Sequence, residues 1–562
     1  MTEHDIVIRG GTIADGSGGA LIEGDVAVRD GRIVAVGKGL GRGGEEIDAR
    51  GLLVTPGFVD IHTHYDGQVT WEDTLTPSSD HGVTTVVMGN CGVGFAPCRE
   101  RDREALITLM EGVEDLPEAV LAAGIPWDWE DFGGYLDFLE SRSYNIDIAA
   151  QVPHAPVRVF AMGERAFDRE PATEADNERM AAIVGDAIRS GALGFSTSRS
   201  LNHKGSDGRF TPSLRAAEAE LTAIGRAVGA CGTGVLQAIS DFEDPEEELA
   251  MFARVCRAAG RPMSISLFQH NATPHLWRDI LKWLERVNAE GLEMRAQVSE
   301  RPVGALLGLD LSINPLARAP AYADVADLPL HARVRALAEP SLRQRVIAEL
   351  EAQDAIGSFD RMFVLEREPN YEPSPNRFVP AMAAARGVSP MEQLYDLLLE
   401  DEGQAVIAQH SSNYVEGSLD ACATMMAHPN TVMGLADGGA HLGILCDSSQ
   451  PTHLLSYWTR DRASGRIPVE KAVSSLTREP AAALGLGDRG RIAPGLKADI
   501  NVIDYDKLTF ERPSATYDLP EGGRRLRQRS QGYVATLVNG RPIIKRDRDT
   551  GERPGRLVRG AR

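Results

Sequence analysis

Between residue 57 and about residue 440 the chain repeats one texture: an apolar run of five to eight residues, then a stretch with helical periodicity. Runs that are apolar on both faces suit strands buried on both sides, which is how parallel strands wrapped by helices read in sequence. Eight segments qualify: GFVDIHTH, GVTTVVMGN, IDIAAQVPH, GALGFSTS, GVLQAIS, PMSISLFQ, EMRAQVSE and TVMGLAD. Eight strand–helix units predict a (β/α)8 TIM-like barrel within an α/β fold, occupying residues 57–484. The stretch from about 310 to 425 is too long for one connection. Its patterns LRQRVIAELEAQ and SPMEQLYDLLLE predict a helical insertion that roofs the barrel. The two ends read differently. Residues 1–56 and 485–562 carry short strand-like runs broken by Gly and Asp-Gly, with Asn539-Gly540 as a hairpin turn. They predict a small β-sandwich domain built from both chain ends.

Composition narrows the function classes. At 562 residues the chain exceeds the usual single core, in keeping with one large domain and a smaller companion. Its 81 acidic against 59 basic side chains leave a formal charge of −22, which disfavours nucleic acid as a partner. Six cysteines without a CxxC pair suit reduced thiols. No apolar stretch reaches the roughly 18 residues of a membrane span, and the first residues carry neither a basic leader nor an apolar signal core. The expectation is a cytoplasmic protein acting on a small molecule, with no membrane partner. A homo-oligomer is compatible with the sequence, which leaves the oligomeric state open.

In a (β/α)8 barrel the chemistry sits at the C-terminal ends of the strands. Those ends are polar here: His62 and His64, Asn90 and Cys91, His154, Ser196 to Arg199, Gln237, Gln269 and His270, Glu300 and Arg301, and Asp437 within GLADGGAH. His-x-His alone is weak, because 13 histidines in this length produce it by chance with an expectation of roughly 0.3. On a strand, however, the two imidazoles share one face. With a thiolate and a carboxylate from other strand ends they could converge on a divalent ion, and zinc suits that mixture. Each residue also has a bland reading. His62 and His64 could be core histidines, Cys91 packing, Asp437 a turn aspartate.

The ordered set GFVDIHTHYDGQ, GVTTVVMGNCGVGFAP, GALGFSTS and GLADGGAHLG, with the tail RGRIAPGLKADINVID, resembles the amidohydrolase superfamily and, within it, the N-acyl-D-amino-acid deacylases. That resemblance implies a distorted barrel with a small β-sandwich, a zinc centre, and hydrolysis of the amide of an acylated D-amino acid. By motif match His62 and His64 are similar to the strand-one ligands, Cys91 to the metal-binding cysteine, and Asp437 to a ligand that is also the catalytic acid/base. The chain departs from the family at the ends of strands five and six, where histidine ligands are replaced by Gln237 and Gln269. An amide oxygen is a poorer zinc ligand than imidazole, so the expectation is one ion per chain, held by His62, His64, Cys91 and Asp437. His154 and His441 could orient the amide substrate or cap loops. Gln237 and Gln269 line the pocket, and Arg199 and Arg301 could clamp a substrate carboxylate. Two rival readings stay open: a cyclic-amide or other amide hydrolase of the same superfamily, and a metal-poor relative that only binds ligand.

Overall fold

A computed structural model describes residues 3–354, 356 and 358–560. The chain has an α/β fold in which all eight expected segments contain strands: β1 (Phe58–Asp60), β2 (Val83–Met88), β3 (Asp147–Ala150), β4 (Gly194–Arg199), β5 (Val235–Ser240), β6 (Met263–Ser266), β7 (Met294–Val298) and β8 (Thr431–Met433). Pairing is parallel throughout, β1 to β2 to β3 in one set and β4 through β8 in the other. The sets meet on two sides. After Gln151, β3 continues as Val152–Pro153, which pairs with β4. Beyond β1 and β8, Asp437 N donates to His62 O at 3.1 Å and His64 N to Gly438 O at 2.7 Å. The strands are buried along nearly their whole length, as β2 shows with every residue from Val83 to Met88 inside. Packed helices such as Leu276–Ala289, whose Trp277, Ile280, Leu281, Leu284 and Val287 face the core, supply their cover.

The two chain ends share one nine-stranded sheet. Leu53–Pro56 joins them by pairing antiparallel with Ile500–Ile503, over a core that includes Ile8, Val26, Val54 and Leu537. The C-terminal segment is also tied to the start of β3, where Arg489 reaches Asp147 at 2.7 Å.

Among the described residues, the segment expected as a helical insertion includes the helices Leu330–Leu337, Pro340–Ala352, Val379–Arg386 and Pro390–Leu399. It also holds a three-stranded antiparallel sheet that periodicity did not predict, with Val406–Ser412 between Val303–Leu307 and Met362–Leu365. The first of these strands starts before residue 310, and all three are short runs that compete poorly with the stronger helical signals around them. A separate apolar cluster, including Leu337, Val346, Leu350 and Leu394, holds this unit together. Its loop at Ser312 reaches the strand-eight side, where Ser312 N donates to Gly443 O at 3.1 Å.

Candidate metal centre

The residues just past β1 and β2 form the heart of the site. His62, His64 and Cys91 are buried, and their donor atoms lie within 4.8 Å of one another. The period of two past β1 is what sends both imidazoles to one side. Thr63 between them turns away, its N and Oγ1 both donating to Val87 O. His62 Nε2 is 3.2 Å from Cys91 Sγ. Cys91 sits on a tight turn at φ 54°, held by its own N–H donating to Gln237 Oε1 at 3.2 Å.

Asp437 enters from the loop after β8, with Oδ1 3.4 Å from His62 Nε2 and 3.7 Å from His64 Nε2. Positive φ at Leu435, Asp437, Gly439 and His441 shows how far this loop departs from strand geometry. Gly439 at φ +83° allows it, since a Cβ there would lie 2.7 Å from Tyr65 Cδ1 and 3.0 Å from the His64 carbonyl carbon. The glycine lets the loop lie flat against the ligand strand.

Two further residues orient the imidazoles, and sequence reasoning missed both. Gln297 of β7 holds His62, with Oε1 2.6 Å from Nδ1 while its Nε2 donates to Ser264 Oγ. Glu114, the last residue of the helix Arg103–Glu114, places Oε1 3.1 Å from His64 Nδ1 and Oε2 3.7 Å from His441 Nε2. Each histidine therefore keeps Nε2 for the centre, the arrangement that metal-ligating histidines share. Gln297 was legible in principle, as an inward polar residue in an apolar strand. Glu114 was not, because its helix lies in the long connection after β2.

The electrostatics fit a divalent cation. Burial opposes charge on His62, but Cys91 and Asp437 outweigh it and push its pKa up to about 9. His64 is likewise raised against burial by Glu114, Asp437 and Cys91. Burial works against ionising Cys91 and Asp437, yet the two imidazoles lower the thiol, and His64 and His62 hold Asp437 down at about 2. A buried thiolate and the Asp437 carboxylate thus call for two positive charges, which a divalent ion brings while the imidazoles give up their protons. Two imidazoles, a thiolate and a carboxylate form a donor set suited to zinc.

The other expected site residues divide. Gln237, expected at a strand end, is buried within β5, and Gln269 is buried just past β6, where its Oε1 accepts from Val415 N at 3.2 Å. His441 reaches the centre through Glu114. His154 has both ring nitrogens engaged, by Thr197 Oγ1 and Glu220 Oε1, each at 2.8 Å. The arginines expected to face a substrate carboxylate have protein partners instead. Arg199 pairs with Glu248 at 3.2 Å and donates to Ala216 O. Arg301 is fully buried, with Nε on Glu300 at 2.8 Å, Nη1 on Ser449 and the guanidinium over the Tyr371 ring. For Arg301 burial makes the pairing necessary, because an uncompensated guanidinium inside the protein is costly.

Known proteins place this geometry in context. The profile of the amidohydrolase family matches residues 45–544. A D-aminoacylase from Alcaligenes xylosoxydans xylosoxydans is 26% identical, over 99% of this chain and 97% of its own. A solved D-aminoacylase, studied for the role of its binuclear metal centre, superposes with a TM-score of 0.66 at 25% identity, covering 99% of this chain and all of that one. The N-acyl-D-glutamate deacylase of Bordetella bronchiseptica, solved with zinc and a phosphonate inhibitor, has the same fold, with a TM-score of 0.65 at 24% identity and 99% of each chain covered. Among the described residues no helix is long and apolar enough to cross a membrane. With a match over nearly its whole length and a buried His–His–Cys cluster with Asp437 beside it, the chain belongs to the amidohydrolase family, as a metal-dependent hydrolase of C–N bonds.

Proposed function

We propose that this chain deacylates N-acyl-D-amino acids in the cytoplasm, using one zinc ion held by His62, His64, Cys91 and Asp437. The observation that supports the single-ion reading is the state of Gln237 in β5 and of Gln269 just past β6. Gln237 Oε1 and Gln269 Oε1 each already accept a backbone N–H, from Cys91 and Val415, and an amide oxygen is a poorer zinc ligand than imidazole. In this reading β1 to β8 close into a (β/α)8 barrel spanning 57–484, with the helical insertion at about 310–425. Residues 1–56 and 485–562 form the β-sandwich companion.

When bound, the ion supplies Lewis acidity to a carbonyl and to an attacking water. The chain's own residues do the rest. Asp437, a carboxylate beside both imidazoles, takes the water proton and returns it to the leaving nitrogen, because an amine is expelled far more easily once protonated. Gln297 and Glu114 keep His62 and His64 turned toward the centre. Gln237, Gln269 and His441 meet the substrate, whereas His154, Arg199 and Arg301 shape the pocket through their protein partners.

Those paired arginines favour a second reading, an amide without a free carboxylate, such as a cyclic amide. N-acyl-D-amino acids, their L enantiomers, carboxylate-amidated versions and cyclic amides, assayed on zinc-replete protein, separate the two. The deacylase reading expects the D series to be cleaved fastest and amidation to abolish turnover. Preference for a cyclic or uncharged amide would replace it. Elemental analysis is expected to find close to one ion per chain, and two tightly held ions would overturn the single-ion centre.

A further inference from the structure

Three glutamines lie on or just past the adjacent strands β5 to β7, and they differ in one respect. Gln297 uses both ends of its amide, on His62 and Ser264. Gln237 and Gln269 use only the oxygen, and their Nε2 atoms are buried with no partner among the described residues. The assignment of oxygen and nitrogen in Gln237 is set by chemistry, since the Cys91 N–H at 3.2 Å can be matched only by an acceptor. Its NH2 group is therefore a committed donor, 1% exposed and anchored on the backbone of a residue in the His–His–Cys cluster. A buried donor left unpaired is unfavourable, so the site is built for an oxygen that arrives with a ligand.

The place of the donor limits which oxygen that is. Gln237 is tied through the Cys91 N–H to the cluster at which amide cleavage is proposed, so the oxygen its free donor would meet is that of the scissile carbonyl. We propose that Gln237 is a catalytic residue that donates through Nε2 to the carbonyl oxygen of the scissile amide, with a bond that strengthens as that oxygen becomes anionic. The inference rests on the amide-hydrolase reading but not on which amide is cleaved. As water oxygen adds to the carbonyl carbon, the C=O pair moves onto the oxygen facing Gln237 and the water proton goes to Asp437. When the C–N bond breaks, the pair returns, the proton goes to nitrogen, and Gln237 is unchanged. A preorganised donor aimed at developing charge is worth more to the transition state than to the ground state.

The test compares wild type with Gln237→Met, using N-acetyl-D-leucine and its methylphosphonamidate analogue as the tetrahedral, anionic probe. If wild type does not cleave that substrate, the deacylase reading fails, and the same comparison on the amide it does cleave still tests Gln237. The expected result is a fall in kcat of about 100-fold, KM within about threefold, and phosphonamidate binding weakened by about 100-fold, with metal content and circular dichroism unchanged. Gln237→Glu, which keeps an oxygen for the Cys91 N–H and removes the donor, is expected to show the same loss. Near wild-type kcat and phosphonamidate affinity in Gln237→Met would overturn the proposal. So would loss of the ion from both variants, which would make Gln237 a support for Cys91.

Discussion

At the scale of single residues, the centre depends on two carboxylates with different tasks. Asp437 is one-fifth exposed and lies 3.4 Å from His62 Nε2, so it can reach both a ligand and a water. Asp437→Asn preserves its shape and removes the proton acceptor. We expect turnover to fall by at least about 100-fold with the fold intact by circular dichroism. A folded variant with near wild-type turnover would take Asp437 out of the mechanism. Glu114 is buried, with its carboxylate beside His64 Nδ1 and His441 Nε2. Glu114→Gln is expected to weaken zinc retention by about 10- to 100-fold in a chelator competition, the cost typical of losing an outer partner of a metal-bound histidine. Unchanged retention would show that His64 needs no such partner.

At the scale of elements, the strands supply rigidity and the segments after them supply geometry. β1 and β2 bring His62, His64 and Cys91 to one end of the sheet, but Asp437 arrives only because the loop after β8 folds back on His64. That return depends on Gly439. In Gly439→Ala the new Cβ meets Tyr65 and the His64 backbone in a left-handed conformation costing about 1–2 kcal/mol for an L-residue. The expected outcome is a protein that keeps its far-ultraviolet circular dichroism but loses at least about tenfold in zinc affinity. Wild-type affinity in that variant would mean that the loop has room the packing does not suggest. The Val303–Leu307, Met362–Leu365 and Val406–Ser412 sheet illustrates the opposite case, in which strands of ordinary composition were hidden by the helical periodicity around them.

At the scale of the whole molecule, buried histidines away from the centre make stability depend on acid. His81 lies between Thr452 Oγ1 and the Gln528 carbonyl, and burial pushes its pKa down to about 3. His410, in the inserted sheet, is also lowered by burial, to about 3. Both are neutral when folded and titrate near 6.5 when unfolded, so their contribution is intact above about pH 6.5 and is lost as pH falls toward 3. Each should remove about 1.4 kcal/mol of stability per pH unit within that window. The urea midpoints of wild type and His81→Gln are expected to draw closer as pH falls from 6.5 to 4, as the contribution of His81 is lost. A difference that stays constant over that range would contradict it. The sequence by itself determined the succession of strands, the strand-rich texture of the two ends, and the placing of His62 and His64 on one face, because these follow from local periodicity and turn chemistry; that the ends share one sheet was decided by the tertiary structure. Its resemblance to the amidohydrolases rested on motifs, and the family match over residues 45–544 agrees with it. Only the tertiary structure decided that Glu114 stands behind His64, that Arg199 and Arg301 face protein carboxylates, and that Gln237 and Gln269 each have one end engaged. The physical reason is that periodicity reports which face of an element is buried. Which charge or hydrogen-bonding group waits on the other side is set by segments tens to hundreds of residues away, and no local pattern carries that information.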